Sequence, residues 1–226
     1  MATIVAQRSY FSRQHIEAAA MCARSTRQLE VAHAGRVVFL ADHRSYVVGA
    51  IFFSVAALEA AINELFTDAS EGNLLGWRPV DEAVIRRCGA MWRAGVPRTA
   101  RYTVVDKYAI ALELADSVAF DKAAEPWQAA SELARLRNAL VHYEPEWVPM
   151  ASGADMHTFE KRLKGRFASN PLASPDSPYY PDKVLGHGCA AWAVKSSMAF
   201  ADVFAERLGI FGNPLGKLGS PELSTD

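Results

Sequence analysis

The chain has 226 residues, half of them hydrophobic and 22% charged, with a formal net charge of -1. Such a length suits one large domain or two small ones and can bury a sizeable core without disulfide staples. The near-zero charge excludes a global basic field for nucleic acid and an acidic mimic tail, so any charged site is local.

Met1 to Tyr10 lacks the apolar stretch of a secretory signal. From Arg13 the residues Ile16, Ala19, Ala20, Ala23, Leu29 and Val31 recur in helical rhythm, with Ser12 placed as a cap and Gly35 as a breaker. Val37 to Leu40 either continues that helix or forms a brief extended piece. Ser45 to Phe66 contains no proline and is apolar on nearly all sides, which marks a central helix packed by several neighbours. Its uncharged run, Val47 to Leu58, is twelve residues long. A membrane span needs about 20, so a buried core helix is expected and no membrane contact. Glu59 and Asn63 share one face of it. A carboxylate there either emerges at the bundle edge or meets a cation.

Pro79 suits the first turn of a helix reaching about Arg93, which Gly95 and Pro97 end. Tyr102 to Asp116 is the next helical segment, and Trp127 to Tyr143 follows a loop through Pro126, with Pro145 as its stop. Residues 146–183 hold five prolines among Ser, Asp and Gly, and read as an irregular excursion around a short helix from His157 to Phe167. Order resumes from about Gly188 to Leu208, with Gly209 as C-cap, and residues 212–226 are expected to form a loose tail. Long helices without alternating strands predict an all-α bundle, a single domain over residues 1–211 with an extra N-terminal helix and an irregular insertion before the last one.

The helix from Trp127 has two faces. Ala129, Leu133, Leu136 and Leu140 form a core seam. Ala130, Ala134, Arg137 and Val141 form a second stripe whose small residues suit close approach of another helix, which motivates a twofold dimer. Asn138 and His142 lie together beside it. Arg137 and His142, five apart, project about 140° from one another on an ideal helix. A shared cleft between two copies would bring them together, whereas a histidine interacting with the helix C-terminus is the structural alternative.

Arg137-Asn138-x-x-x-His142 at the end of a late bundle helix resembles the signature of the HEPN superfamily (higher eukaryotes and prokaryotes nucleotide-binding domains). The words Leu136 to Tyr143 followed by Glu144-Pro145-Glu146-Trp147, Lys107 to Leu112, and Cys189 to Val194 are similar to a bacterial HEPN-like family, over about residues 43 to 209. The resemblance implies a dimeric, metal-independent endoribonuclease, in a toxin–antitoxin or phage-defence setting with an antitoxin protein as possible partner. His142 would handle the proton on the ribose 2′-hydroxyl or the leaving 5′-oxygen, as an imidazole with an ordinary pKa near 6.5 suits. Arg137 would hold the scissile phosphate, Asn138 would orient His142 or the substrate, and the product would be a 2′,3′-cyclic phosphate. Glu59 and Tyr143 are expected as supporting residues. Some toxin members carry a tyrosine two residues beyond the histidine; Glu144 stands there, with Tyr143 adjacent to His142. The alternative within the same resemblance is a catalytically silent module that dimerises and binds RNA, a nucleotide or a protein.

Arg86, Arg87, Arg93, Arg98, Arg101 and Lys107 form one basic cluster, and Lys161, Arg162, Lys164 and Arg166 another. Each either tracks a phosphate backbone or is a solvated face; Arg86, Arg87, Lys161, Arg162 and Lys164 are the RNA-contact candidates. Cys22, Cys88 and Cys189 form no C-x-x-C pair and are expected as reduced thiols of a cytoplasmic protein. His15, His33, His43 and His187 show no ligand spacing, and phosphate-loop, serine-elbow and Rossmann signatures are absent. No metal and no cofactor is expected.

Overall fold

The computed structural model of the chain describes residues 8–98, 101–145, 158–217 and 219–226. Among them lie seven α-helices: α1 (Ser12–Ala32), α2 (Ala41–Glu71), α3 (Glu82–Arg93), α4 (Val104–Leu114), α5 (Trp127–Val141), α6 (Thr158–Leu163) and α7 (His187–Leu208). No strand occurs among the described residues, so the protein is an all-α bundle. Glu146, Trp147 and His157, which entered the sequence expectations, lie outside the described residues.

α2 is the axis of the bundle, packed by α1, α3, α4, α5 and α7. Val47, Ala50, Ile51, Leu58 and Ile62 are fully buried along it, as its all-round apolar character requires. It runs 31 residues, well beyond the uncharged run in its middle. By length and composition alone it could cross a membrane, and half of its most apolar stretch is buried inside the bundle. At one end of the core Tyr108 meets Phe200 and Phe204 edge-on, at 5.0 and 4.6 Å between ring centroids. Its hydroxyl donates to the Leu58 carbonyl at 2.8 Å, satisfying the one polar atom that this ring carries into the core. α3 crosses α2 at Gly89, where a Cβ would stand 2.5 Å from the Ala69 carbonyl oxygen. Only glycine permits that approach.

Three helix starts, those of α1, α3 and α4, are fixed by side chains, though not always the expected ones. Asp81 caps α3, accepting from the Ala83 amide at 2.6 Å. Thr103 and Asp106 form a reciprocal capping box at α4. α1 has Phe11 rather than Ser12 at its N-cap, and no side chain of its own caps it. Glu64 of α2 does so from across the interface, accepting the Phe11 and Ser12 amides at 2.6 and 3.0 Å. α1 and α2 are thus locked together where the chain enters the bundle. Val38 is extended and donates its amide to the Leu172 carbonyl at 3.0 Å, which decides the ambiguity over residues 37–40 against helix.

The described part of the 146–183 excursion is anchored rather than adrift, since Leu163, Leu172, Tyr179 and Tyr180 are all buried. The tail behaves alike and corrects the expectation of a loose segment. Leu215 and Leu223 are buried, and Arg24 of α1 donates to the carbonyls of Glu222 and Ser224 at 3.2 and 2.6 Å. Two leucines separated by glycine and proline leave no periodicity to read, yet each fills a gap beside the core.

Candidate functional site

The motif helix opens onto a cleft of about 1080 Å³ walled by α2, α4 and α5, with one residue from α1. From α2 come Phe52, Ala56, Glu59 and Asn63, spaced so that they form one stripe. The first turn of α4, Thr103 to Lys107, supplies a second wall. On α5 the stripe facing the cleft is Trp127, Ser131, Ala134, Asn138 and Val141, flanked by Arg135, Arg137 and His142.

That stripe shares Ala134 and Val141 with the small-residue stripe expected for dimerisation, but takes Ser131 and Asn138 where the other has Ala130 and Arg137. Ala130 is 1% exposed and packs inside its own chain. Ala134, at 9%, lies on the cleft wall. The small residues of α5 therefore serve this chain's own packing first.

Arg137, Asn138 and His142 line the same cleft within one chain. α5 ends at Val141, and His142 is the C-cap, its amide still donating to the Asn138 carbonyl at 2.9 Å. His142 therefore keeps its angular offset from Arg137, and the cleft is wide enough to take both side chains from the one helix end.

Arg137 is half-buried, and its Nε is buried without any hydrogen-bond partner. A buried donor on a cation is costly to leave unmatched, and a planar fork of donors fits an anion best. Asn138 and His142 are exposed at the rim.

Glu59 does reach the cleft, but its partner is Lys107. The lysine is almost entirely buried, donates to the Glu59 carboxylate, and gives a second bond to Asn63 Oδ1 at 3.0 Å. The cation that the Glu59–Asn63 face required comes from α4, and Glu59 makes no hydrogen bond to Arg137 or His142. Tyr143 is not part of the cleft wall; its ring lies 6.3 Å from that of Tyr180.

The basic clusters divide. Arg98 and Lys107 line the cleft. Arg86 pairs with Glu82 at 3.3 Å, Arg87 with Asp116 at 3.1 Å, Arg162 with Glu132 at 2.9 Å and Lys164 with Glu160 at 2.9 Å. Lys161 is exposed on α6. None of these five lines the cleft. The cleft itself carries four cations, Arg98, Lys107, Arg135 and Arg137, against two carboxylates, Glu59 and Asp106, with Arg135 already paired to Glu132 just outside the lining. Its balance is positive although the chain's is not.

Sequence reasoning missed His15, Phe53 and Tyr102 as cleft residues. His15 comes from the first turn of α1, far from the motif in sequence, so only the tertiary fold could reveal it. The three cysteines are free and buried. Burial pushes the Cys22 thiol up, the Cys88 thiol up to about 12, and the Cys189 thiol further still. None is suited to act as a thiolate nucleophile. Among the described residues no group of three or more His, Cys, Asp or Glu side chains is disposed to hold a metal ion.

No family model, no curated protein and no solved structure matches the chain.

Proposed function

We propose that the cleft binds RNA and cleaves it without a metal, in the manner that the Arg137-Asn138-x-x-x-His142 resemblance implies. The observation that carries this reading is a positively balanced cleft that receives both Arg137 and His142 within one chain. A phosphate in the cleft would accept from the guanidinium fork of Arg137. In the reaction the ribose 2′-oxygen bonds to phosphorus and the bond to the 5′-oxygen breaks. The 2′-hydroxyl gives up one proton and the 5′-oxygen gains one; His142 handles one of these transfers and water the other. Asn138 stands beside His142 to orient it or the ribose, and Arg137 offsets charge growing on the phosphoryl oxygens. The Lys107–Glu59–Asn63 cluster fixes the opposite wall.

A second copy would dock on what α5 still offers at its C-terminal end, where Val141 and Tyr143 are each 48% exposed. A toxin or phage-defence setting follows from the resemblance alone.

Purified protein is expected to cut single-stranded RNA in a chelator, to leave a 2′,3′-cyclic phosphate, and to spare DNA, which lacks the nucleophile. His142→Ala should lower the rate by about 10²–10⁴, and Arg137→Ala should lower it comparably, both with unchanged helicity. Cutting that persists undiminished in both variants would overturn the assignment. Wild-type protein that binds RNA through Arg137 yet never cuts it establishes the silent binding module instead.

A further inference from the structure

We infer that the rings of Phe53 and His15 form a stacking subsite for a nucleobase whose phosphate is held by Arg137. The inference rests on the cleft being an anion site, and adds what the anion is attached to.

Phe53 is a large apolar side chain of α2 left 37% exposed. It lines the cleft together with His15, and the two rings are stacked at 6.0 Å between centroids and 20° between planes. Phe11 continues the row, 6.0 Å from His15. Single exposed apolar residues are ordinary on a protein surface, but the Phe53–His15 stack lines a cationic cleft, with Phe11 extending it beyond the lining. Tyr102 adds an aromatic side chain to the same cleft.

The lining therefore offers three kinds of recognition at once: a cationic fork lacking a partner, a flat apolar face, and the Asn138 amide. An aliphatic acid would use the first and waste the second; a nucleotide uses all three. The cleft exceeds the volume that one drug-sized ligand fills, leaving room for a base and the phosphates on either side of it. His15 lies outside the span of the HEPN resemblance, so that likeness does not imply this subsite.

The test measures binding of a short 2′-O-methyl oligonucleotide, which cannot be cut because its nucleophile is blocked. It is compared with an abasic chain of equal phosphate number by fluorescence anisotropy. Wild-type protein should prefer the base-bearing strand by roughly five- to 150-fold for one stacked base. Phe53→Ala should erase that preference, Phe53→Trp should retain it, and His15→Ala should reduce it, with helicity unchanged in each. Arg137→Ala should weaken both ligands alike.

Equal binding of the two ligands, unaltered by Phe53→Ala but still dependent on Arg137, overturns the stacking subsite and leaves the anion site standing. If neither ligand binds, or if Arg137→Ala changes nothing, the anion site itself fails and the subsite falls with it. Adenosine monophosphate competing with the same Phe53 dependence would support the subsite with a free nucleotide as ligand. Failure to compete, with the strand's Phe53-dependent preference intact, would support it with a strand as ligand.

Discussion

Arg137 is where function and stability pull apart. Its buried Nε has no partner, and an unsatisfied buried donor costs about 1–3 kcal/mol. Replacing it by an apolar side chain of similar reach removes the cost along with the anion contact. Arg137→Met is therefore expected to raise stability, on the order of 1 kcal/mol in chemical denaturation, while abolishing the proposed cleavage. A variant both inactive and less stable would mean that the guanidinium holds the fold rather than a ligand. The motif was legible because its residues break the apolar rhythm of α5: Arg137, Asn138 and His142 have no business on a core seam. What Glu59 touches was legible only as a requirement. Its face called for a cation, and Lys107 supplies it from 48 positions away. No spacing rule connects those two residues; the packing of α4 on α2 does.

At the scale of elements, apolar period and turn chemistry located the helices, and the errors fell at their ends, where tertiary partners decide. Ser12 looked like a cap because a serine ahead of an apolar run usually is one. Here it is already helical and buried, and Glu64 does the capping from α2. Glu64→Ala should cost about 1 kcal/mol, as the loss of a cap does. Ser12→Ala should stay within about 0.5 kcal/mol. The comparison is made by urea denaturation, and a larger loss at Ser12 than at Glu64 would reverse the assignment. The first turn of α1 also carries His15, so Glu64→Ala should blunt the base preference inferred above. α5 likewise ends at Val141, two residues short of the expected Tyr143, with His142 as its C-cap. The docked tail was illegible for the opposite reason: single anchors such as Leu215 and Leu223, set among glycine and proline, carry no period at all.

At the scale of the whole molecule, the question is how many chains one site needs. The sequence points to two, because Arg137 and His142 diverge on an ideal helix and because Ala130 and Ala134 lie on a stripe suited to a partner helix. In the folded chain Ala130 is spent inside the bundle, and one chain presents both Arg137 and His142 to one cleft. The other walls belong to the same chain, through α1, α2 and α4. On the one-chain reading proposed above, a second copy would add surface without completing the chemistry. Mixing Arg137→Ala and His142→Ala proteins decides the matter. If each active site takes both residues from one chain, no mixed assembly contains an intact site, and RNA cleavage should stay at the level of the separate variants even after joint unfolding and refolding. If the arginine of one chain works with the histidine of another, some mixed dimers regain a complete site, and activity should return in proportion to their share. We expect no recovery. Recovery would instead assign the function to a cleft shared across a twofold axis, and would make the exposed end of α5, at Val141 and Tyr143, the seam to disrupt next.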